Sequence, residues 1–135
     1  RSKMKELINI QNELNVPKNQ KNSFGNYNYR SCEDILVALK PLLDKHKASI
    51  LITDEVKEVA GIPYVEATVV FKAENTEALS VRAQAGINPN QKGMSISQSF
   101  GASSSYARKY ALAGMFLLDD TKDADTMDNS KEFAL

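Results

Sequence analysis

The sequence predicts an α+β domain, an antiparallel three-stranded sheet (β-β-β) with helices packed on one face. Three observations carry this. Apolar residues recur at helical spacing in an N-terminal segment, again over residues 31–46, and in a long C-terminal segment. Between residues 49 and 85 the period shortens to two, as in half-buried strands. Turn residues at Ala60-Gly61 and Glu74-Asn75 divide that stretch into successive strands.

Each element follows from its residues. Ser2 to Asn15 reads as an amphipathic helix, with Met4, Leu7, Ile8 and Leu14 on the apolar face and Lys5, Glu6 and Glu13 elsewhere; Pro17 blocks its continuation. Asn15 to Arg30, NVPKNQKNSFGNYNYR, has no helical period and reads as a long loop with a short extended piece. Loops of this length in small domains are often functional. Ser31 reads as an N-cap, with Glu33 and Asp34 favouring the helix dipole in the first turn. Ile35, Leu36, Leu39, Leu42 and Leu43 then face the core as far as His46, and Pro41 is expected to kink or shorten this helix.

Strands are expected at Ser49 to Glu58, Pro63 to Ala73 and Leu79 to Ala85. In the second, Val65, Ala67, Val69 and Phe71 face one way and Glu66, Thr68 and Lys72 the other. In the third, Leu79, Val81, Ala83 and Ala85 point inward and Ser80, Arg82 and Gln84 outward. GINPNQKG is a flexible basic loop, and a last helix is expected from Ser95 to Leu117. Residues 1–118 form the predicted core domain, and 119–135 an acidic, flexible tail.

Composition bounds the function. A chain of 135 residues, 42% apolar and 25% charged, fits one soluble globular domain. No apolar run approaches the ~20 residues that span a bilayer, so no membrane partner is expected. No signal peptide is visible, and the single Cys32 excludes an internal disulfide. The chain starts at Arg1 rather than Met, as a piece of a longer protein would.

The formal net charge is zero, but the charges are segregated. No Asp or Glu occurs from Ala78 to Leu118, where Arg82, Lys92, Arg108 and Lys109 fall. Leu14 to Cys32 is also acid-free and holds Lys18, Lys21 and Arg30. The compensating acids crowd the end of the chain, at Asp119, Asp120, Asp123, Asp125, Asp128 and Glu132. Segregation of this kind suits a surface that meets phosphates.

The last helix carries the densest chemistry. Ile96, Phe100, Ser103, Ala107, Ala111, Gly114 and Leu118 form a stripe that is small in its middle, suited to close approach to the sheet. Arg108 and Lys109 share a side with Ser97, Gln98, Ser104 and Ser105, donors that suit phosphate oxygens. Tyr106 and Tyr110 flank the cations. Arg82 and Gln84 on the outer strand face, Lys92 in its loop, and Tyr27, Tyr29 and Arg30 repeat the pattern, with Lys18 and Lys21 in support. Cations interleaved with stacking rings are what single-strand binding requires. The alternatives are that Arg108 and Lys109 are solvated surface cations, that Tyr106 and Tyr110 rim the core, and that Tyr27 and Tyr29 anchor a loop.

An enzyme is not expected. The sequence has no G-x-x-x-x-G-K-[ST] phosphate loop, and one His with one Cys makes neither a triad nor a zinc set. No cofactor or metal is predicted. His46 reads as a surface helix-end residue and Cys32 as a half-buried inert thiol. Two rival classes remain: a Mg-dependent nuclease using Asp119, Asp120, Asp123 and Asp125, and an interaction module whose small-residue helix is an oligomer seam.

The stretch QSFGASSSYARKYALAGMFLLDDTKDAD resembles the C-terminal motif of the ERF (essential recombination function) single-strand annealing proteins of phages and prophages. Gln98, Gly101, Tyr106, Ala107, Arg108, Tyr110, Ala111 and Leu112 match. Lys109 stands where a second Arg is usual, and Leu117-Leu118 where a glycine is usual. GNYNYRSCEDILVALKPLL, Gly25 to Leu43, resembles an earlier segment of the same family. The resemblance implies a protein of the bacterial cytoplasm that binds single-stranded DNA and anneals complementary strands without ATP. It implies a fold similar to the eukaryotic annealing recombinases, assembly into a ring or filament with DNA in a basic groove, and partners among phage or host recombination and replication proteins. Arg82, Lys92, Arg108 and Lys109 would then hold phosphates, with Lys18, Lys21 and Arg30 in support.

Overall fold

A computed structural model of the chain describes residues 4–119 apart from Asn75 and Gln91. The elements run α1 (Lys5–Glu13), β1 (Gln20–Asn22), β2 (Tyr27–Tyr29), α2 (Cys32–Lys45), β3 (Ala48–Val59), β4 (Ile62–Ala73), β5 (Leu79–Gly86) and α3 (Ile96–Phe116). Strands β3-β4-β5 form an antiparallel three-stranded sheet, and β1 and β2 a separate hairpin. The α+β architecture is therefore as the sequence predicts. The predicted Asn75 turn position and the acidic tail beyond Asp119 lie outside the described residues.

The period-two pattern builds the core. Val65, Ala67, Val69 and Phe71 of β4 are buried, with Ile50 and Ile52 of β3 and Leu79, Val81, Ala83 and Ala85 of β5 packed beside them. Helix α3 lies over β4 and β5, and the Phe71 and Phe116 rings meet edge-on with centroids 6.1 Å apart. Ala60 and Gly61 both adopt positive φ, 52° and 79°, as a two-residue hairpin turn between β3 and β4 requires.

Three sequence expectations are corrected. In α1 the buried residues are Leu7 and Ile10, continued by Leu14, while Met4 and Ile8 are exposed. The core-facing stripe is centred one row away from the one the sequence suggested. Pro41 does not shorten α2, which runs on to Lys45. The carbonyl of Val37 that it leaves without a donor lies on an exposed residue, open to water. The long loop contains a hairpin, registered Gln20↔Tyr29, Lys21↔Asn28 and Asn22↔Tyr27.

The helix starts are as expected. Ser31 and Asp34 form a reciprocal capping box at α2, and Ser95 and Gln98 another at α3. His46 ends α2, but its Nε2 lies 2.8 Å from Glu13 Oε2, so it ties α2 to α1 rather than facing only water. At the other end of α3, Leu117 takes the left-handed conformation (φ 61°) while the Leu118 N–H reaches back 2.9 Å to the Ala113 carbonyl. A side chain there is strained, and that of Leu117 is exposed. Leu117→Gly is therefore expected to stabilise the fold by about 0.5–1 kcal/mol, read as a higher urea midpoint at unchanged m.

Candidate nucleic-acid interface

The small residues of α3 divide by what they touch. Ala107 and Ala111 are fully buried, and the Ser103 hydroxyl donates to the Gly86 carbonyl at 2.8 Å. A Cβ at Gly114 would lie 3.3 Å from Val81 Cγ1, so this glycine does allow close packing on β5. Gly101 has nothing within 4 Å of such a Cβ and makes no close approach to the described residues.

The adjacent cations of the motif have opposite fates. Arg108 reaches across to β3, where its Nε and Nη2 donate to the Asp54 carboxylate at 3.1–3.2 Å. The Ser104 hydroxyl donates to the same carboxylate. Burial pushes the Asp54 carboxyl up, but the hydrogen bonds from Arg108 and Ser104 and the guanidinium charge outweigh it and hold the carboxyl below its usual range. Asp54 takes one edge of the guanidinium and leaves the Nη1 end to other acceptors. The Arg108 side chain is still 37% exposed.

Lys109 turns inward. It is only 9% exposed, and its Nζ donates to the Arg30 carbonyl at 3.2 Å. The ammonium lies 5.6 Å from the centroid of Tyr29 and 5.5 Å from that of Tyr106. Arg30 is buried as well, its Nε donating to the Val16 carbonyl at 2.8 Å and its Nη1 to the Asp119 carbonyl at 2.9 Å. These cations dock the β1–β2 hairpin onto α3. Beside them, the Tyr106 and Tyr110 rings lie 6.1 Å apart at 31°, one turn apart, and are 49% and 41% exposed. Tyr27 and Tyr29 make a second ring pair at 6.2 Å.

The other candidates are dispersed. Gln98 serves the α3 cap, its Oε1 accepting from the Ser95 N–H at 2.9 Å. Arg82 and Gln84 project from the sheet face opposite α3, since Val81, Ala83 and Ala85 between them pack on the core. There Glu66 accepts from Lys57 at 2.7 Å and from Gln84 at 2.8 Å, and these bonds hold its carboxyl below the usual range. Arg82 is exposed on that face, Lys92 in the loop before α3 and Lys21 on β1, while Lys18 is half-buried. The structure thus gathers Tyr29, Arg30, Lys109 and Tyr110, places Ser104 and Arg108 nearby on the same helix, and separates Arg82 and Gln84 from them by the sheet.

Asp54 was not a sequence candidate. It sits in an acid-bearing strand with no local pattern to mark it. Tyr106 was recognised as a flanking ring but not as half of an exposed pair.

The motif helix, the hairpin and the sheet are matched as a unit. Residues 4–133 fit the profile of the ERF superfamily. The chain belongs to that family. It is 49% identical over 127 residues to the "Essential recombination function protein" of Salmonella phage P22, an alignment covering 93% of this chain and 60% of that protein. The chain thus spans about three fifths of the length of this ERF relative. No solved structure matches. Among the described residues no helix is long and apolar enough to cross a membrane.

Proposed function

We propose that this ERF-family chain is a recombination module that binds single-stranded DNA and promotes annealing of complementary strands without ATP. The observation that carries the reading is the seam where the hairpin docks on α3. Buried Lys109 lies against the Tyr29 and Tyr106 rings there, and the neighbouring Tyr106 and Tyr110 side chains are partly exposed. Stacking on such rings is indifferent to base identity, as an annealing protein requires. Lys21 and Lys92 supply exposed charge for phosphates, with half-buried Lys18 in support, and Arg82 adds an exposed cation on the opposite face of the sheet. Arg108 contributes the guanidinium end that Asp54 leaves open. Tyr27, Tyr29, Arg30 and Lys109 shape the seam, and Gln84, Gln98 and Ser104 act through the partners they hold.

Within this proposal the chain works as a homo-oligomer, ring or filament, in the cytoplasm of the infected bacterium, and performs no bond chemistry. Covering two strands' charges with lysines lets them approach, while backbone contacts leave base edges available for pairing.

The test is annealing of two complementary labelled oligonucleotides by the purified chain at low salt, with EDTA and no nucleotide. Wild type should accelerate annealing, and Tyr106→Ser/Tyr110→Ser should lose most of that acceleration while remaining folded. Lys21→Ala should lower the slope of log affinity against log salt by about one unit or less. A folded wild type that does not accelerate annealing would overturn the proposal. In a parallel reaction with Mg²⁺ in place of EDTA, strand loss would point to the nuclease instead.

A further inference from the structure

Phe24 lies in the turn Ser23-Phe24-Gly25-Asn26 and is 101% exposed, a whole phenyl ring standing in water. The turn that presents it is built rather than loose. Asn22 Oδ1 accepts from the Phe24 N–H at 2.9 Å and from the Gly25 N–H at 3.0 Å, and Asn22 Nδ2 donates to the Tyr27 hydroxyl at 3.1 Å. Asn26 takes positive φ, 51°. A Cβ on Gly25 would fall 2.2 Å from Tyr27 Cε1, so the Tyr27 ring covers the turn backbone and a side chain at Gly25 would have to displace it. At the other end the hairpin is held down by Tyr29 against Lys109 and by buried Arg30. The ring is therefore carried at the tip of an anchored arm.

We infer that Phe24 is a wedge that inserts between adjacent bases of a bound single strand, a role that rests on the DNA-binding reading above. The surroundings of the ring choose the ligand. From Leu14 to Cys32 there is no acid, while Lys18, Lys21, Asn19, Asn22, Asn26 and Asn28 crowd the arm. A protein groove would demand contiguous apolar surface around the ring, and the arm offers cations and amides instead. Phosphates flanking a base step match those donors, and the two faces of the opened step match the ring. One wedge per bound copy would interrupt the base stack at regular intervals along an assembly and hold short runs of bases apart for pairing.

The chain has no tryptophan, so Phe24→Trp gives a single reporter in the full chain. Oligo(dT) is titrated at low salt, with binding read independently by anisotropy of a labelled oligonucleotide. The inference expects strong quenching of the Trp emission that saturates with the anisotropy. It also expects Phe24→Ala to weaken binding roughly tenfold with an unchanged salt slope, and to abolish the rise in fluorescence of a 2-aminopurine placed in the strand. Anisotropy showing tight binding while Trp emission and 2-aminopurine stay unchanged would overturn the wedge and leave DNA binding standing. No binding by wild type would remove the DNA reading and the wedge with it. Emission that changes with protein concentration in the absence of DNA, and not on adding DNA, would overturn it in favour of a second copy as the occupant.

Discussion

Lys109→Ala is expected to cost the fold about 2 kcal/mol, lowering the thermal midpoint by roughly 5–10 °C in a chain of this size. The substitution removes an ammonium held against two rings and a charge-assisted hydrogen bond to the Arg30 carbonyl. Cation–π contacts contribute about 0.5–2 kcal/mol each and the hydrogen bond about 1.5–3. Relief from burying the charge offsets much of that sum. Lys109→Arg keeps a cation that stacks on rings and is expected to retain most of the stability. DNA affinity should fall in Lys109→Ala because the hairpin loses its seat on α3. A surface phosphate ligand would behave oppositely: the stability would stay within about 0.5 kcal/mol of wild type while the salt slope dropped by about one. Differential scanning calorimetry beside a salt titration separates the two.

Arg108 and Asp54 should behave as a coupled pair. Each truncated alone costs about 1 kcal/mol, a figure already reduced for the partial exposure of both side chains, and the double variant should cost less than the sum. Their effects on DNA should have opposite signs. On the DNA-binding proposal, Arg108→Ala removes a partly exposed cation available to phosphates and is expected to weaken binding severalfold. Asp54→Asn removes the carboxylate that occupies that cation and is expected to strengthen binding severalfold at low salt. Equal affinity of wild type and Asp54→Asn, with Arg108→Ala also unchanged, would leave the pair as a strut between α3 and β3 and nothing more.

The same pair has an acid signature. The folded-state carboxyl of Asp54 is held below its unfolded value of 3.8. Between the two values the unfolded chain binds more protons, so the contribution is fully present above about pH 4–5 and is lost as pH falls through the lower, folded value. Thermal midpoints of wild type and Asp54→Asn, measured from pH 6 to pH 3, should converge at the acid end. Midpoints that fall in parallel would assign the acid sensitivity to other carboxylates.

Much of the architecture is legible in the residues because it rests on local rules. Alternation placed Val65, Ala67, Val69 and Phe71 in the core and turned Arg82 outward. Ser31 marked the start of α2, because a cap is completed within four residues. The sequence shows only a short extended piece where the hairpin forms, because strands of three residues, Gln20–Asn22 and Tyr27–Tyr29, carry too few side chains to show a period.

The site divides along the same line. That the motif helix carries cations among small residues and rings is written locally and needs no fold to be seen. Which cation meets solvent is not. Arg108 and Lys109 are neighbours of the same charge, yet one finds Asp54 across 54 positions of chain and the other finds the Arg30 carbonyl across 79. Successive helix residues point about 100° apart, so they meet different neighbours. Those neighbours, a strand on one side and a docked hairpin on the other, exist only once the chain has packed.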